Sequence, residues 1–494
     1  MDFERDYYAI LDISSDADEQ ALKRAYRQLV RRYHPDTSTE PGSAERFLEL
    51  QEAYEVLTDP IQRDAYDHWR RKRGLDHPDP LLLRVTPSQE IMPCLGESQV
   101  LYLLLELTAS EKMEAGRLPL NLCLVLDHST SMKGARLQQV KEAARYIVDQ
   151  MTPQDVLSLV VFSDRAEVIL PGQQGFDKVA AKIVINNLRA GGGTELLQGF
   201  ELGLQEVKRW HGKGVMSHLT LLTDGQTYGD DRECLELARN AGEEQITLTT
   251  IGIGSDWNDQ LLDEMAKLSG PQGSSIYIDS SARIAEVFNK RIRDLESTFA
   301  HNLIMSVHLT DKLSLAEVFR VSPQIDRLPW SEGRVAVGSL EKQHPHALML
   351  NLLVRPHEPG KHRLLQVEVE GEVPALGPQP VRIQKEVSMT FDSNLNRRSP
   401  IPPDIVSAMG KLTIYKMQER AMEEIQSGEI DAAVNRLKAV ATRLLDIGEA
   451  ELARAALLEA GRLAKTGSLS DEGRKKLRYG TRGLTILPKE VRDD

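Results

Sequence analysis

Five consecutive residues, Asp127, His128, Ser129, Thr130 and Ser131, concentrate carboxylate, imidazole and hydroxyl groups inside the stretch "VLDHSTSMKG". Such a cluster suits nucleophilic attack by Ser129 or Ser131 with His128 as base, coordination of a metal ion, or simply a polar turn. The nucleophilic reading is weak. Neighbours on a tight loop rarely point at one another, and a serine–histidine pair needs a third group to orient the base. Neither a G-x-S-x-G elbow nor a G-x-x-x-x-G-K-[ST] phosphate loop occurs in the chain. Enzyme activity is therefore not expected. A metal site, by contrast, needs further oxygen donors from elsewhere in the sequence.

The elements around the cluster supply them. Residues 119–298 alternate apolar runs ("LPLNLCLVLD", "VLSLVVF", "HLTLLTD", "QITLTTIGIG", "SIYID") with amphipathic ones ("RLQQVKEAARYIVDQM", "NDQLLDEMAKL", "SARIAEVFNKRIRDL"). Continuously apolar strands between helices predict a doubly wound, mostly parallel sheet covered on both faces. Ligands of such sheets bind at the carboxyl ends of the strands. Asp127 closes the first strand and Asp224 closes "HLTLLTD", so both carboxylates fall on one edge. The loop "AGGGTEL" brings Thr194 after three glycines that permit close backbone approach. Asp127, Ser129, Ser131, Thr194 and Asp224 together form a hard-oxygen set suited to magnesium or manganese and not zinc. Its few carboxylates leave room for waters and an outside ligand.

In type, order and placement these five residues resemble the metal-ion-dependent adhesion site of the von Willebrand factor A domain, Asp-x-Ser-x-Ser followed by Thr and then Asp. The resemblance implies that magnesium, with manganese as the alternative, is held by Asp127, Ser129, Ser131, Thr194 and Asp224. It also implies that a protein partner completes the metal shell with an acidic side chain. His128 stands at a variable position of the pattern and takes no ligand role.

A second set of candidates lies near the N-terminus. In "EQALKRAYRQLVRR" (residues 19–32), Leu22, Ala25, Tyr26, Leu29 and Val30 recur at helical spacing, while Lys23, Arg24, Arg27, Arg31 and Arg32 occupy the other face. A second amphipathic run, "AERFLELQEAYEVL", begins at Ala44 and predicts an antiparallel helix pair. Between them, Pro35 forces His34 out of helical geometry and presents His34, Pro35 and Asp36 on a stiff corner. A "DYYAIL" helix, the basic helix, the His-Pro-Asp loop, the "QEAYEVL" helix and a "DPIQRDAYD" tail together resemble the J domain over residues 5–67. The resemblance implies a DnaK-type heat-shock chaperone as partner. Lys23, Arg24 and Arg27 would dock it, and His34, Pro35 and Asp36 would stimulate its ATPase. No Gly/Phe-rich linker or zinc-binding cysteine repeat follows, so client specificity is expected in other domains. We assign residues 1–72 to this J domain and 73–80 to a linker, which holds a second tripeptide, His77, Pro78 and Asp79.

Short β-like runs flank the parallel-sheet domain on both sides, in residues 81–118 and 299–395. Because the early runs are too few to fold alone, they are expected to pair with the later ones. The A domain (119–298) would then be an insertion in a β-sandwich. Residues 400–484 read as an antiparallel helical lobe with its own core, followed by a tail over 485–494. Gly428, Gly448 and Gly467 would terminate helices, and the basic "GRKKLRYGTR" reads as a solvated helix end. The fold class is therefore multidomain, α plus α/β plus β.

Composition bounds the function. A net charge of −13 over 494 residues argues against general nucleic-acid binding. No apolar run reaches the roughly 18 residues of a membrane span. The N-terminus carries acids where a secretory signal carries lysines, and Cys94, Cys123 and Cys234 are too dispersed for a zinc site. A cytoplasmic location is expected. The sequence thus reads as a J-domain adaptor that recruits a chaperone to a partner captured through magnesium. The alternative is an A-domain regulator or scaffold working with an AAA-type ATPase or a multiprotein complex.

Overall fold

The computed structural model describes residues 6–11, 13, 17, 19–33, 43–72, 80–110, 113, 116–212, 214–225, 229–377, 380–394 and 399–484. His34, Pro35 and Asp36 lie outside the described residues, as do His77, Pro78 and Asp79. The chain forms two compact units, Met1–Pro80 and Leu81–Asp494.

The first unit contains α1 (Tyr7–Ile10), α2 (Glu19–Tyr33), α3 (Ser43–Thr58) and α4 (Pro60–Lys72). Leu22 of α2 and Leu50, Ala53 and Leu57 of α3 are buried together with Tyr7, Tyr8, Leu11 and Tyr66, as the helical spacing predicts. Tyr26 stacks on Tyr54 with ring centroids 3.9 Å apart, joining α2 to α3. The run read as a tail is a full helix, α4. Asp59 caps it by accepting from the backbone N–H groups of Ile61 (2.9 Å) and Gln62 (3.2 Å). Pro60 stands at the first helical position, where its missing N–H costs nothing.

The second unit opens with β1 (Leu81–Pro87), β2 (Ile91–Pro93) and β3 (Gln99–Ala109). An α/β segment follows. Its strands are β4 (Leu120–Asp127), β5 (Val156–Phe162), β6 (Ala166–Gln174), β7 (Met216–Thr223), β8 (Thr247–Ile253) and β9 (Ser274–Ile278). Its helices are α5 (Ala135–Gln150), α6 (Lys178–Asn187), α7 (Leu196–Arg209), α8 (Asp231–Glu243), α9 (Asp259–Leu268) and α10 (Ile284–Glu296). The sheet order is β6-β5-β4-β7-β8-β9, parallel throughout except for β6. Every residue of β4 and β5 is buried. Along β4 the pleat sends Leu122, Leu124 and Leu126 into a core with Ile147 and Phe288, and Cys123 and Val125 into a second core with Phe200 and Met265. Two cores on two faces explain why β4 reads as an unbroken apolar run. Strand β6, absent from the sequence reading, carries Pro171 and Gly172; its position at the sheet edge is where a strand tolerates them.

The chain then returns through β10 (Thr298–Leu309), β11 (Leu313–Ser322), β12 (Asp326–Arg327), β13 (Trp330–Ser331), β14 (Arg334–Glu341), β15 (His346–Val354), β16 (Gly360–Glu372) and β17 (Pro380–Asp392). Two sheets result, β1-β3-β15-β11-β12 and β13-β14-β10-β16-β17-β2. Strand β3 pairs antiparallel with β15 from Gln99↔Val354 to His346↔Leu107, and β2 pairs parallel with β17. Strands from before the α/β segment therefore complete both sheets, and the segment is an insertion in the sandwich. Leu101, Leu103 and Leu105 of β3 meet Val367 and Val369 of β16 in the core between the sheets.

Helices α11 (Pro403–Gln426), α12 (Ile430–Asp446), α13 (Ala450–Thr466) and α14 (Asp471–Arg482) form the C-terminal lobe. Gly428, Gly448 and Gly467 follow three of them with φ of +79°, +85° and +72°, the left-handed geometry of helix ends. Two expectations require correction. The lobe buries a core in which Leu437, Val440, Ala456 and Leu463 take part, but that core is not its own alone: Ile405, Ala408, Leu412 and Tyr415 share it with Leu104, Phe319, Ala347 and Met349 from the outer face of a sandwich sheet. Nor is the basic run solvated. In α14, Lys475 is 1% exposed and donates to the carbonyls of Ser255 (2.5 Å) and Trp257 (2.7 Å). Arg474 and Arg478 pair with Asp259 at 2.9 and 2.8 Å, and Arg482 pairs with Asp263. Its cationic face is matched by the acidic residues of α9.

Candidate functional site

The site begins where β4 ends. Asp127 is fully buried and both its oxygens are committed: Oδ1 accepts from the Ser129 N–H at 2.8 Å and Oδ2 from Thr223 Oγ1 at 2.7 Å. Ser129 Oγ lies 2.9 Å from Ser131 Oγ, which donates to Asp224 Oδ1 at 2.6 Å. Asp127, Ser129, Ser131 and Asp224 thus form one hydrogen-bonded chain across the carboxyl ends of β4 and β7.

The glycine-rich loop is tied to this chain through its backbone. Gly192 O accepts from Thr130 N and Oγ1 at 3.1 and 3.0 Å, and Gly191 N donates to His128 O at 2.8 Å. On its other side Gly193 N donates to Asp164 Oδ1 at 2.7 Å. Helix α7, which follows the loop, lies unusually close to the sheet. A Cβ at Gly199 would stand 2.7 Å from the Phe162 ring, and one at Gly203 would stand 2.4 Å from Val125 Cγ2. That approach brings Thr194 to the site edge, where a Cβ on Gly225 would lie 3.0 Å from Thr194 Oγ1. His128 donates through Nδ1 to Arg189 O at 2.8 Å, a bond that holds its ring to the glycine-rich loop.

Burial pushes the Asp127 carboxyl above its ordinary pKa, its bonds from Ser129 and Thr223 oppose the rise, and the Asp224 charge adds to it. Two carboxylates and several hydroxyls facing one another at a buried edge therefore call for positive charge. Arg136, in the first turn of α5, answers part of that need: its Nη1 donates to Asp224 Oδ2 at 2.5 Å. A cation in a helix's first turn opposes the helix dipole. That mismatch marks Arg136 in the sequence as a residue with a partner outside its helix without saying which, and Thr223 carries no such mark. Among the described residues, no three His, Cys, Asp or Glu side chains group as a metal site. The donors gathered here are two carboxylates and the hydroxyls beside them, a set that fits a hard divalent cation.

In the first unit Lys23, Arg24 and Arg27 all stand on the exposed face of α2. Arg24 Nε bonds back to Gln20 O at 3.3 Å, within its own helix.

Comparison with known proteins places three modules along the chain. Residues 6–67 match the DnaJ domain family, residues 121–290 the von Willebrand factor type A domain, and residues 403–486 the Sll0103-like C-terminal alpha-helical domain. The uncharacterized protein sll0103 of Synechocystis is 31% identical over 380 residues, which cover 75% of this chain and 89% of that protein. The chaperone protein DnaJ of Trichodesmium erythraeum is 55% identical over 65 residues, so the chain spans 17% of that relative's length. Among solved structures, a von Willebrand factor type A protein from Catenulispora acidiphila aligns over 82% of this chain and 97% of its own, with a TM-score of 0.65 at 16% identity. The ArnB paralog VWA2 from Sulfolobus acidocaldarius aligns over 83% and 100%, with a TM-score of 0.52 at 14% identity. These two likenesses concern the fold.

Proposed function

Because the chain belongs to the family of the Synechocystis protein sll0103 and carries a DnaJ domain ahead of its A domain, we propose that it is a co-chaperone adaptor. Both modules are non-catalytic. The DnaJ domain stimulates a DnaK-type ATPase through His34, Pro35 and Asp36, with Lys23, Arg24 and Arg27 attracting an acidic face of the chaperone. The A domain captures a protein partner at the carboxyl edge of its sheet.

The observation that carries the second half is the hydrogen-bonded convergence of Asp127, Ser129, Ser131 and Asp224, with Thr194 at its edge. These residues would hold magnesium, or manganese in its place. Bound there, the metal offers a Lewis-acidic position to a carboxylate of the partner. The residues themselves do the orienting: Thr223 and the Ser129 N–H fix the Asp127 carboxylate, and the loop from Gly191 to Gly193 fixes the rim. Among the described residues, no helix is long and apolar enough to cross a membrane.

Two measurements test the proposal separately. ATP turnover of a DnaK-type chaperone is expected to rise with the wild-type chain and not with His34→Gln; equal stimulation by both sinks the first half. Partner capture from a cell extract is expected to need magnesium and to fail with Asp127→Ala. Capture that persists in chelator and in the variant removes the metal site from the function.

A further inference from the structure

A second polar site lies away from the metal edge, where the α/β segment meets the sandwich. A cavity of about 80 Å³ is lined by Ser274, Arg291, Arg320, Ser339, Glu341 and His346, among others. Arg291 comes from α10, Arg320 and His346 from one sandwich sheet, and Ser339 and Glu341 from the other. We propose that this cavity binds a small tetrahedral oxyanion of the phosphate or sulfate class, which ties the inserted domain to both sheets.

The lining leaves several buried polar groups unmet. Arg291 donates to two neutral acceptors, Thr249 Oγ1 at 3.1 Å and Gln272 O at 3.3 Å. Arg320 is 8% exposed; it donates to Pro271 O at 2.9 Å, and the oxygen of Asp326 nearest to it stands 4.0 Å away. Among the described residues, its Nε has no hydrogen-bond partner, nor do His346 Nδ1 and Ser339 Oγ. His346 is 4% exposed, and burial, with Arg320 nearby, pushes its imidazole down to about 3, so the neutral ring is free to present an N–H. Unmade bonds on groups this deeply buried are costly.

Charge decides between water and an anion. Water satisfies a hydroxyl or an imidazole and leaves two guanidinium groups facing one cavity. Asp294 and Asp326 stand beside these arginines without lining it. Glu341 does line it, but burial pushes its carboxyl up to about 7 against the pull of Arg291, so its negative charge is only partial near neutrality. Guanidinium forks match the oxygen spacing of phosphate and sulfate. Size sets the upper limit, because pockets for larger ligands run to about 300–1,000 Å³. A nucleotide does not fit in 80 Å³, and a free oxyanion does.

The test is calorimetric titration of the full chain with inorganic phosphate and, separately, sulfate, at constant ionic strength. Chelator is present throughout, so that no metal at Asp127 and Asp224 offers the anion a different site. One saturable site is expected, weakened about tenfold or more by Arg320→Gln or Arg291→Gln and tightened by Glu341→Gln, which removes a like charge. Should either arginine variant fail to fold, Ser339→Ala (weaker) and Glu341→Gln (tighter) carry the same prediction. Absence of saturable binding by either anion overturns the proposal, and so does binding that these substitutions leave unchanged.

Discussion

Asp224 answers to two residues at once, accepting from Ser131 on one oxygen and from Arg136 on the other. The carboxylate is fully buried and the guanidinium is 36% exposed, so the pair is only partly screened. Without a metal, Arg136 is the compensating charge; with one, it is a like charge beside a divalent cation. Arg136→Ala should therefore act in opposite directions on the two forms. We expect magnesium to bind on the order of tenfold more tightly, because a repulsion is removed. The metal-free protein should lose about 1–3 kcal/mol, because a buried carboxylate loses its partner. Titration calorimetry and thermal unfolding with and without chelator read the two effects. Unchanged magnesium affinity would show that Arg136 is a bystander. At this scale the donors were readable in the sequence because Asp-x-Ser-x-Ser fixes three of them within one loop. Arg136 was not, because nothing in a helical "ARLQQ" announces which loop its side chain will reach.

Helix α14 shows what sequence withholds at the scale of elements. Arg474, Arg478 and Arg482 recur every four residues, as do Asp259 and Asp263 in α9, so each stripe was readable alone. That the two stripes face each other across about two hundred residues of chain is a tertiary fact no periodicity encodes. The strands of the sandwich were readable for the opposite reason, since "LLQVEVE" alternates and its pairing need was evident from the chain on either side. Arg482 and Asp263 give the α14 contact its buried centre, with side chains 6% and 9% exposed. Arg482→Gln leaves Asp263 with Lys267 at 3.2 Å and should cost about 2–3 kcal/mol. The pair also has a pH signature. Burial pushes the Asp263 carboxyl up, but the bond and charge of Arg482 outweigh it and hold the pKa below the ordinary value. A depressed folded-state pKa means stabilisation that is fully present above the unfolded value of about 3.9 and is lost as pH falls through the lower folded one. Acid unfolding curves of the wild type should therefore be steeper below pH ~4 than those of Arg482→Gln. Parallel curves would contradict this account.

In the whole molecule the inserted A domain is braced on more than one side. Arg320 of the sandwich holds Pro271 O, and Lys475 of the lobe holds Ser255 O and Trp257 O. Tyr479 sets its ring 6.0 Å from both Trp257 and Tyr277 and bonds Ser275 Oγ at 2.8 Å. The loop after β8 links this bracing to the carboxyl edge of the sheet, because a Cβ on Gly254 would lie 3.2 Å from Arg136 Nη2. A boundary read from sequence separates what packing joins, since the domain's strands are self-sufficient in pattern while its edges are finished by other parts of the chain. In a fragment of residues 81–494 the α/β segment is expected to unfold together with the sandwich and the lobe, because Arg320, Lys475, Tyr479 and Arg482 tie it to both. Residues 119–298 excised from the chain should lose the contacts to Asp259, Asp263 and Trp257, now about 1–7% exposed, and with them several kcal/mol. At roughly 2–4 °C per kcal/mol for a domain of this size, that loss lowers the melting temperature by on the order of 10 °C. Differential scanning calorimetry of the two fragments at equal magnesium decides the matter. An excised A domain that melts where the longer fragment does would mean that the lobe merely rests against it, and that the edge holding Asp127 and Asp224 takes no support from helices α11 to α14.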